Sequence, residues 1–235
     1  MIKLKTALYL FFVLGFLAAG IPAFAADSGI KKLTTEQDKI SYALGFNIGN
    51  KILADYPINL ELFFKGIKDS HGGSNMLTDK EIQEILMTFQ QKVQQKQMEA
   101  AKMKAENNKA VGKSFLETNK DKEGVVTLAS GLQYKVIEKG SGPSPKASDT
   151  VSCHYRGSTI DGKEFDSSYK RGKPASFSVG GVIKGWIEAL QLMKTGSKWM
   201  LFIPADLAYG DKGAGSVIEP GSTLIFEVEL MGIQG

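Results

Sequence analysis

Thr150-Val151-Ser152-Cys153-His154-Tyr155-Arg156-Gly157 alternates apolar and polar side chains, so in an extended chain Val151, Cys153 and Tyr155 share one face. A period of two over eight residues predicts a half-buried β-strand. The pattern continues outward. Upstream, Leu132, Tyr134 and Val136 alternate ahead of a Gly140-Ser141-Gly142-Pro143-Ser144-Pro145 loop. Downstream, Pro174 to Val179, Gly196 to Ile203 and Ser222 to Met231 read as further strands, and Lys184 to Met193 is the one helical segment among them. The expectation is an α+β domain, an antiparallel sheet wrapped on one short helix.

Before Gly131 the period changes from two to 3.6, and the chain changes class between Thr118 and Ser130. Thr34-Thr35-Glu36-Gln37-Asp38 offers a capped helix start, followed by Ile40, Ala43, Leu44 and Ile48 until Tyr56-Pro57. A second helix is expected after Asn59, with Leu60, Phe63, Phe64 and Ile67 on one face and an end in Ser70-His71-Gly72-Gly73. Thr78 and Glu81 then form a capping box for a third, long helix. At 1.5 Å per residue its ~40 residues could reach ~60 Å. Its first turns carry Ile82, Ile85, Leu86, Phe89 and Val93, but Gln94 to Lys113 is polar nearly all round. Such a stretch is expected to cross solvent as a strut, with a frayed or flexible linker as the competing reading. Phe46, Leu62, Phe63, Phe64 and Ile67 are too many apolar side chains for two short helices to bury, which favours pairing with a second copy. Gly45 and Gly49, four apart, weakly support close helix approach.

The first 25 residues show a basic start with Lys3 and Lys5, an apolar run Ala7 to Ile21, and Ala23-Phe24-Ala25. This is the pattern of a cleavable secretory leader; an uncleaved anchor is the alternative. Its removal, with Lys3 and Lys5, takes the formal charge from +4 to +2, so the basic balance is no argument for nucleic acid. Export to the periplasm is the expected address, with outer-membrane association or secretion compatible with the same leader. A lone Cys153 permits no internal disulfide and is read as core. The expected division is 1–25 leader, 26–76 helical dimerisation domain, 77–120 connecting helix and 121–235 sheet domain. No metal-binding motif, phosphate-cradling loop or serine-centred elbow occurs, and no metal or cofactor is expected.

What the sheet domain has is a density of aromatic and branched residues beside turns: Tyr155, Phe165, Phe177, Val182, Ile183, Trp186, Tyr209, Val217, Ile218 and Phe226. Taken singly, each is better read as core. Taken in order, five motifs over ~105 residues tell more. They are Val151 to Gly157, Asp161-Gly162-Lys163-Glu164-Phe165-Asp166-Ser167-Ser168, Val182-Ile183-Lys184-Gly185-Trp186, Ile203 to Gly210, and Ile218-Glu219-Pro220 to Leu230. This series resembles the FKBP-type peptidyl-prolyl isomerases, and the leader plus helical half resembles their macrophage infectivity potentiator group.

The resemblance implies a half-barrel sheet gripping its helix over a shallow apolar pocket, and acceleration of X-Pro isomerisation in exported or unfolded proteins. Trp186 would be the pocket floor, with Tyr155, Phe177, Val182, Ile183 and Phe226 as walls. The Ile183 N–H and the Tyr209 hydroxyl would hold substrate carbonyls. Asp166, beside Phe165, would place a carboxylate at the polarised carbonyl, and Arg171 would pair with it. Val217 and Ile218 would complete the substrate-binding set. From the residues alone, Asp166-Ser167-Ser168 could equally cap a loop, and Arg171-Gly172-Lys173 could be a solvated turn. Sensitivity to rapamycin-type macrolides is a further expectation. Departures from the family pattern are Ala175 for an aromatic ring, Ala214 for a histidine, and a short Gly180-Gly181 approach to Val182. They bear on the pocket rim and on which residue is preferred before proline. A non-catalytic holdase that captures proline-containing apolar segments is the alternative function.

Overall fold

The structure is a computed structural model and describes residues 32–50 and 56–234. The expected leader lies outside the described residues. The chain forms two compact units, divided after Phe89.

The first unit is helical. Helix α1, Glu36–Ile48, begins at Thr35, whose hydroxyl accepts from the Asp38 N–H while the Asp38 carboxylate accepts from the Thr35 N–H. Helix α2, Leu60–Gly72, is capped by the Asn59 carbonyl on the Leu62 N–H and ends at Gly73 in the left-handed conformation. Helix α3, Asp79–Asn119, starts with Thr78 and Glu81 bonding each other's backbone N–H. Neither α1 nor α2 buries a single residue, and Tyr42, Leu44, Phe46, Leu62 and Phe64 stand exposed.

The second unit is built on strands β1 Val125–Thr127, β2 Gln133–Glu138, β3 Thr150–Thr159, β4 Glu164–Ser167, β5 Ala175–Ser178, β6 Lys198–Ile203 and β7 Leu224–Gln234. All pair antiparallel in the order β1-β2-β6-β7-β3-β4, and the sheet stays open. Strand β3 is the hinge of this arrangement. One edge runs along β7, while the other is shared: β5 takes Thr150 to Cys153 and β4 takes Arg156 to Ser158. Helix α4, Lys184–Leu192, packs on one face of the sheet. Trp186, Ala189, Leu190 and Met193 are buried there with Leu132, Val151, Cys153, Leu201, Ile203, Leu224, Val228 and Leu230. Each such large side chain contributes roughly 1.5–3 kcal/mol by leaving water, so this single layer supplies the driving force for the domain.

The later turns of α3 correct the strut expectation. Ala105, Gly112 and Asn119, seven residues apart on one line of the helix, are buried within the second unit. A Cβ on Gly112 would meet the Thr223 hydroxyl oxygen at 2.1 Å, so glycine is what allows the helix so close. Phe115 packs on Phe202 with ring centres 6.0 Å apart, and the buried amides of Asn119 and Gln133 bond at 2.9 Å. Apart from Phe115, which lies beyond the polar run Gln94 to Lys113, these contacts use small and polar side chains, which is why that run has no apolar stripe to read.

Candidate active site

The site begins at the break in the outer edge of β3. At Tyr155 neither β4 nor β5 supplies a ladder partner, and a strand residue without one leaves two backbone groups to satisfy. Ser168, fully buried at the end of β4, takes both. Its hydroxyl accepts from the Tyr155 N–H at 2.7 Å, its backbone N–H donates to the Tyr155 carbonyl at 2.9 Å, and the hydroxyl also lies 3.2 Å from that carbonyl and 3.0 Å from His154 Nδ1. Sequence reasoning missed this residue as anything beyond a loop cap; its only signal was a second small hydroxyl behind Asp166.

With its backbone so held, the Tyr155 ring meets Phe177, Trp186 and Phe226 at centroid distances of 5.5, 5.5 and 6.5 Å. Trp186 meets Phe177 at 5.4 Å and Phe226 at 5.3 Å, both edge-to-face, and Phe165 meets Phe226 at 5.5 Å. Edge-to-face packing places the positive rim of one ring on the negative face of another and fixes the set geometrically. Gly157 permits it: a Cβ there would lie 2.6 to 2.7 Å from the rings of Phe226 and Phe165. Trp186 is buried, and its Nε1–H has no hydrogen-bond partner among the described residues.

One polar group borders the rings. The Tyr155 hydroxyl donates to Asp166 Oδ2 at 2.5 Å, Arg171 Nη2 donates to the Tyr155 oxygen at 2.6 Å, and Arg171 Nη1 pairs with Asp166 Oδ1. Burial would raise the Asp166 carboxyl, but the hydrogen bonds from Tyr155 and Arg171 and the guanidinium charge outweigh it and hold it below the usual range. Burial pushes the Tyr155 phenol up, reinforced by the Asp166 hydrogen bond against the opposing effect of Arg171. At neutral pH the trio is therefore carboxylate, phenol and guanidinium. Asp166 is a strand residue opposite Gly157 rather than a loop cap.

Val182 and Ile183 are half-buried against the same core, with Ile183 at the N-terminal cap of α4, where the first amides have no carbonyl of their own helix to bond. Ile218 is buried in that core, Ala175 and Ala214 are packed on it, and Val217 is exposed. Tyr209 is 41% exposed and touches none of the rings. Its hydroxyl has no hydrogen-bond partner among the described residues. The structure thus joins Tyr155, Phe165, Asp166, Arg171, Phe177, Trp186 and Phe226 by direct contact and leaves Tyr209 and Val217 at the margin. A separate concavity of about 200 Å³, lined by Arg156, Glu164, Met200 and Glu227, lies on the outer face of the sheet, away from the rings.

Residues 142–231 match the model of the FKBP-type peptidyl-prolyl cis-trans isomerase domain, and residues 37–136 match that of the domain amino terminal to it. The outer membrane protein MIP of Legionella longbeachae is 45% identical over 89% of this chain and 91% of its own. The chain belongs to the FKBP-type peptidyl-prolyl isomerase family. The peptidyl-prolyl cis-trans isomerase Mip of Coxiella burnetii is 42% identical, covering 94% of this chain and 97% of that protein. The crystal structure of FkpA from Escherichia coli superposes with a TM-score of 0.68 at 38% identity, over 86% of this chain and 99% of that one.

Proposed function

We propose that this FKBP-type peptidyl-prolyl cis-trans isomerase turns X-Pro bonds of exported or unfolded proteins on the ring set around Trp186. The observation that carries this reading is the interlocked Tyr155-Phe177-Trp186-Phe226 cluster with the Asp166-Arg171 pair at its edge. Rotation about an X-Pro bond faces a barrier of roughly 18–20 kcal/mol because resonance gives its C–N bond partial double character. Uncatalysed, it takes on the order of tens to hundreds of seconds. Nothing is cleaved, so the site needs neither nucleophile nor metal. Apolar walls strip water from the imide and disfavour its charge-separated form, and a bowl that fits the twisted amide binds it more tightly than either planar isomer. A gain of ~5 kcal/mol gives roughly 10³- to 10⁴-fold acceleration.

In this reading the proline ring rests on Trp186 against Tyr155, Phe177, Val182 and Phe226, the Ile183 N–H and Tyr209 hydroxyl hold the flanking carbonyls, and the Asp166 carboxylate faces the carbonyl carbon of the twisted bond. Phe165 and Arg171 fix Phe226 and Asp166, and Val217 and Ile218 form the rim. The exposed rings of Phe46 and Phe64 support assembly of the helical unit into a homodimer. One relative's name places it in the outer membrane, and with the leader-like N-terminus this supports an exported, periplasmic enzyme. Macrolide inhibitors of rapamycin type are expected to compete for the bowl.

The holdase alternative is separated by one experiment. Refolding of a client limited by a slow proline step is expected to accelerate with the parent chain and not with Trp186→Leu, whereas suppression of client aggregation is expected from both. Equal acceleration by both proteins would remove the bowl from the reaction.

A further inference from the structure

The loop between β6 and β7 carries Tyr209 and Ile218, and besides its packing on the sheet core it has a second anchorage, on α3. Two short 3-10 turns, Ala205–Leu207 and Gly210–Lys212, flank Tyr209. On either side stand Asp206 and Asp211, and one ammonium reaches both: Lys109 Nζ of α3 lies 3.2 Å from Asp206 Oδ1 and 2.7 Å from Asp211 Oδ1. Next to it on the helix, Asn108 Nδ2 donates to the Pro220 carbonyl at 2.9 Å and to Glu219 Oε2 at 3.3 Å, and Lys104, just over one turn earlier, pairs with Glu219 at 3.0 Å. The two ends of the loop then meet through the Gly221 N–H on the Gly210 carbonyl, and its interior is braced by the paired backbone of Ala214 and Ile218. The Tyr209 hydroxyl adds no hydrogen bond that would place it among the described residues, and the side chain is 41% exposed. Its backbone is held from inside by Ala205 and Ile218, buried in the sheet unit, and from outside by α3 at Asp206 and Asp211.

We propose that Lys109, assisted by Asn108, is a positioning residue of the isomerase site: α3 clamps the β6–β7 loop from outside and so holds Tyr209 and Ile218 at the margin of the ring set. This rests on the role given to Tyr209 above. The clamp works through Tyr209 and does not touch substrate. Hydrogen bonds donated to Asp211 and Asp206 hold the Lys109 ammonium above the ordinary lysine value, consistent with a fully charged staple at neutral pH. Both pairs are well exposed to water and each is individually weak, so the clamp is adjustable rather than rigid.

The test uses the full chain and a proline tetrapeptide at low and at about 0.5 M salt, where exposed charge pairs are screened. Lys109→Ala is expected to speed hydrogen exchange of amides 207–219 by ~3- to 5-fold, the upper end of what exposed pairs of this kind carry, and to lower kcat/KM by a similar factor. Lys109→Arg is expected to restore most of the loss, and the parent chain at high salt to shift toward Lys109→Ala. Lys102→Ala, which removes a lysine paired with Glu106 on the same helix, is expected to change neither. The decisive comparison is in a Tyr209→Phe background, where adding Lys109→Ala should cost less than ~2-fold because the group it positions is gone. Full additivity there, or an Ala variant with the parent's kcat/KM, overturns the clamp. If Tyr209→Phe alone keeps full activity, the role of Tyr209 falls and the clamp with it; if Tyr209→Phe is impaired and Lys109→Ala is not, only the clamp falls.

Discussion

Trp186 touches Tyr155, Phe177 and Phe226 at once, so it is the keystone of the ring set. Truncation to Ala removes all three contacts and is expected to cost about 3–5 kcal/mol in urea unfolding, against almost nothing for Tyr209→Phe, whose hydroxyl is unbonded. A second residue-scale prediction concerns Cys153. Burial pushes its thiol up to about 12 from an ordinary 9.0, so the native chain is expected to resist thiol reagents at pH 8 and to react only as it unfolds. The sign follows: a thiol neutral when folded and freer to ionise when unfolded contributes fully below about pH 9, and that stability is lost as pH rises toward 12. Asp166 behaves oppositely. Its carboxyl is depressed in the fold, so the stability it lends is present above the ordinary carboxylate range and is lost as pH falls through the folded value. An acid titration of unfolding free energy should be shallower for Asp166→Asn than for the parent, and equal slopes would contradict the pairing with Tyr155 and Arg171.

At the scale of elements, the docked part of α3 is the feature most open to test. Gly112→Leu would drive a branched side chain into Thr223 and is expected to destabilise the sheet unit by about 1–3 kcal/mol, with protease cleavage appearing near residues 105–119. Unchanged stability would mean the helix does not dock there. The same element shows why part of the fold was hidden in the sequence. Strand β3 announces itself because Val151, Cys153 and Tyr155 alternate over a long run, and the helix starts at Thr35, Asn59 and Thr78 announce themselves through hydroxyl and amide caps. Strands β1 and β4 span three and four residues, too short for a period to show, and Asp166 was therefore open to a loop reading. Ala105, Gly112 and Asn119 recur at helical spacing but none is strongly apolar, so a docked face passed for a solvated one. Within the site, the rings and the acid were legible from their order along the chain. Ser168 and Lys109 were not, because their roles exist only through pairing across 13 residues in one case and about a hundred in the other.

At the scale of the molecule, the helical unit exposes a set of rings and leucines that no other described part of that unit covers. Phe64→Asp is expected to convert a dimer to a monomer in sedimentation equilibrium while leaving tetrapeptide turnover intact, since the catalytic unit holds its own core. Client refolding should weaken, because two bowls on one assembly raise the effective concentration at a second proline. An unchanged mass would remove the dimer. The central claim is that the ring set around Trp186 turns X-Pro bonds, and the cis-to-trans relaxation of a proline tetrapeptide tests it most directly. The purified chain lacking residues 1–25 is expected to accelerate relaxation in proportion to its concentration, with most of that gain lost in Trp186→Leu and Asp166→Ala variants that still fold. Acceleration undiminished in both variants, or none from the well-folded parent, would contradict it.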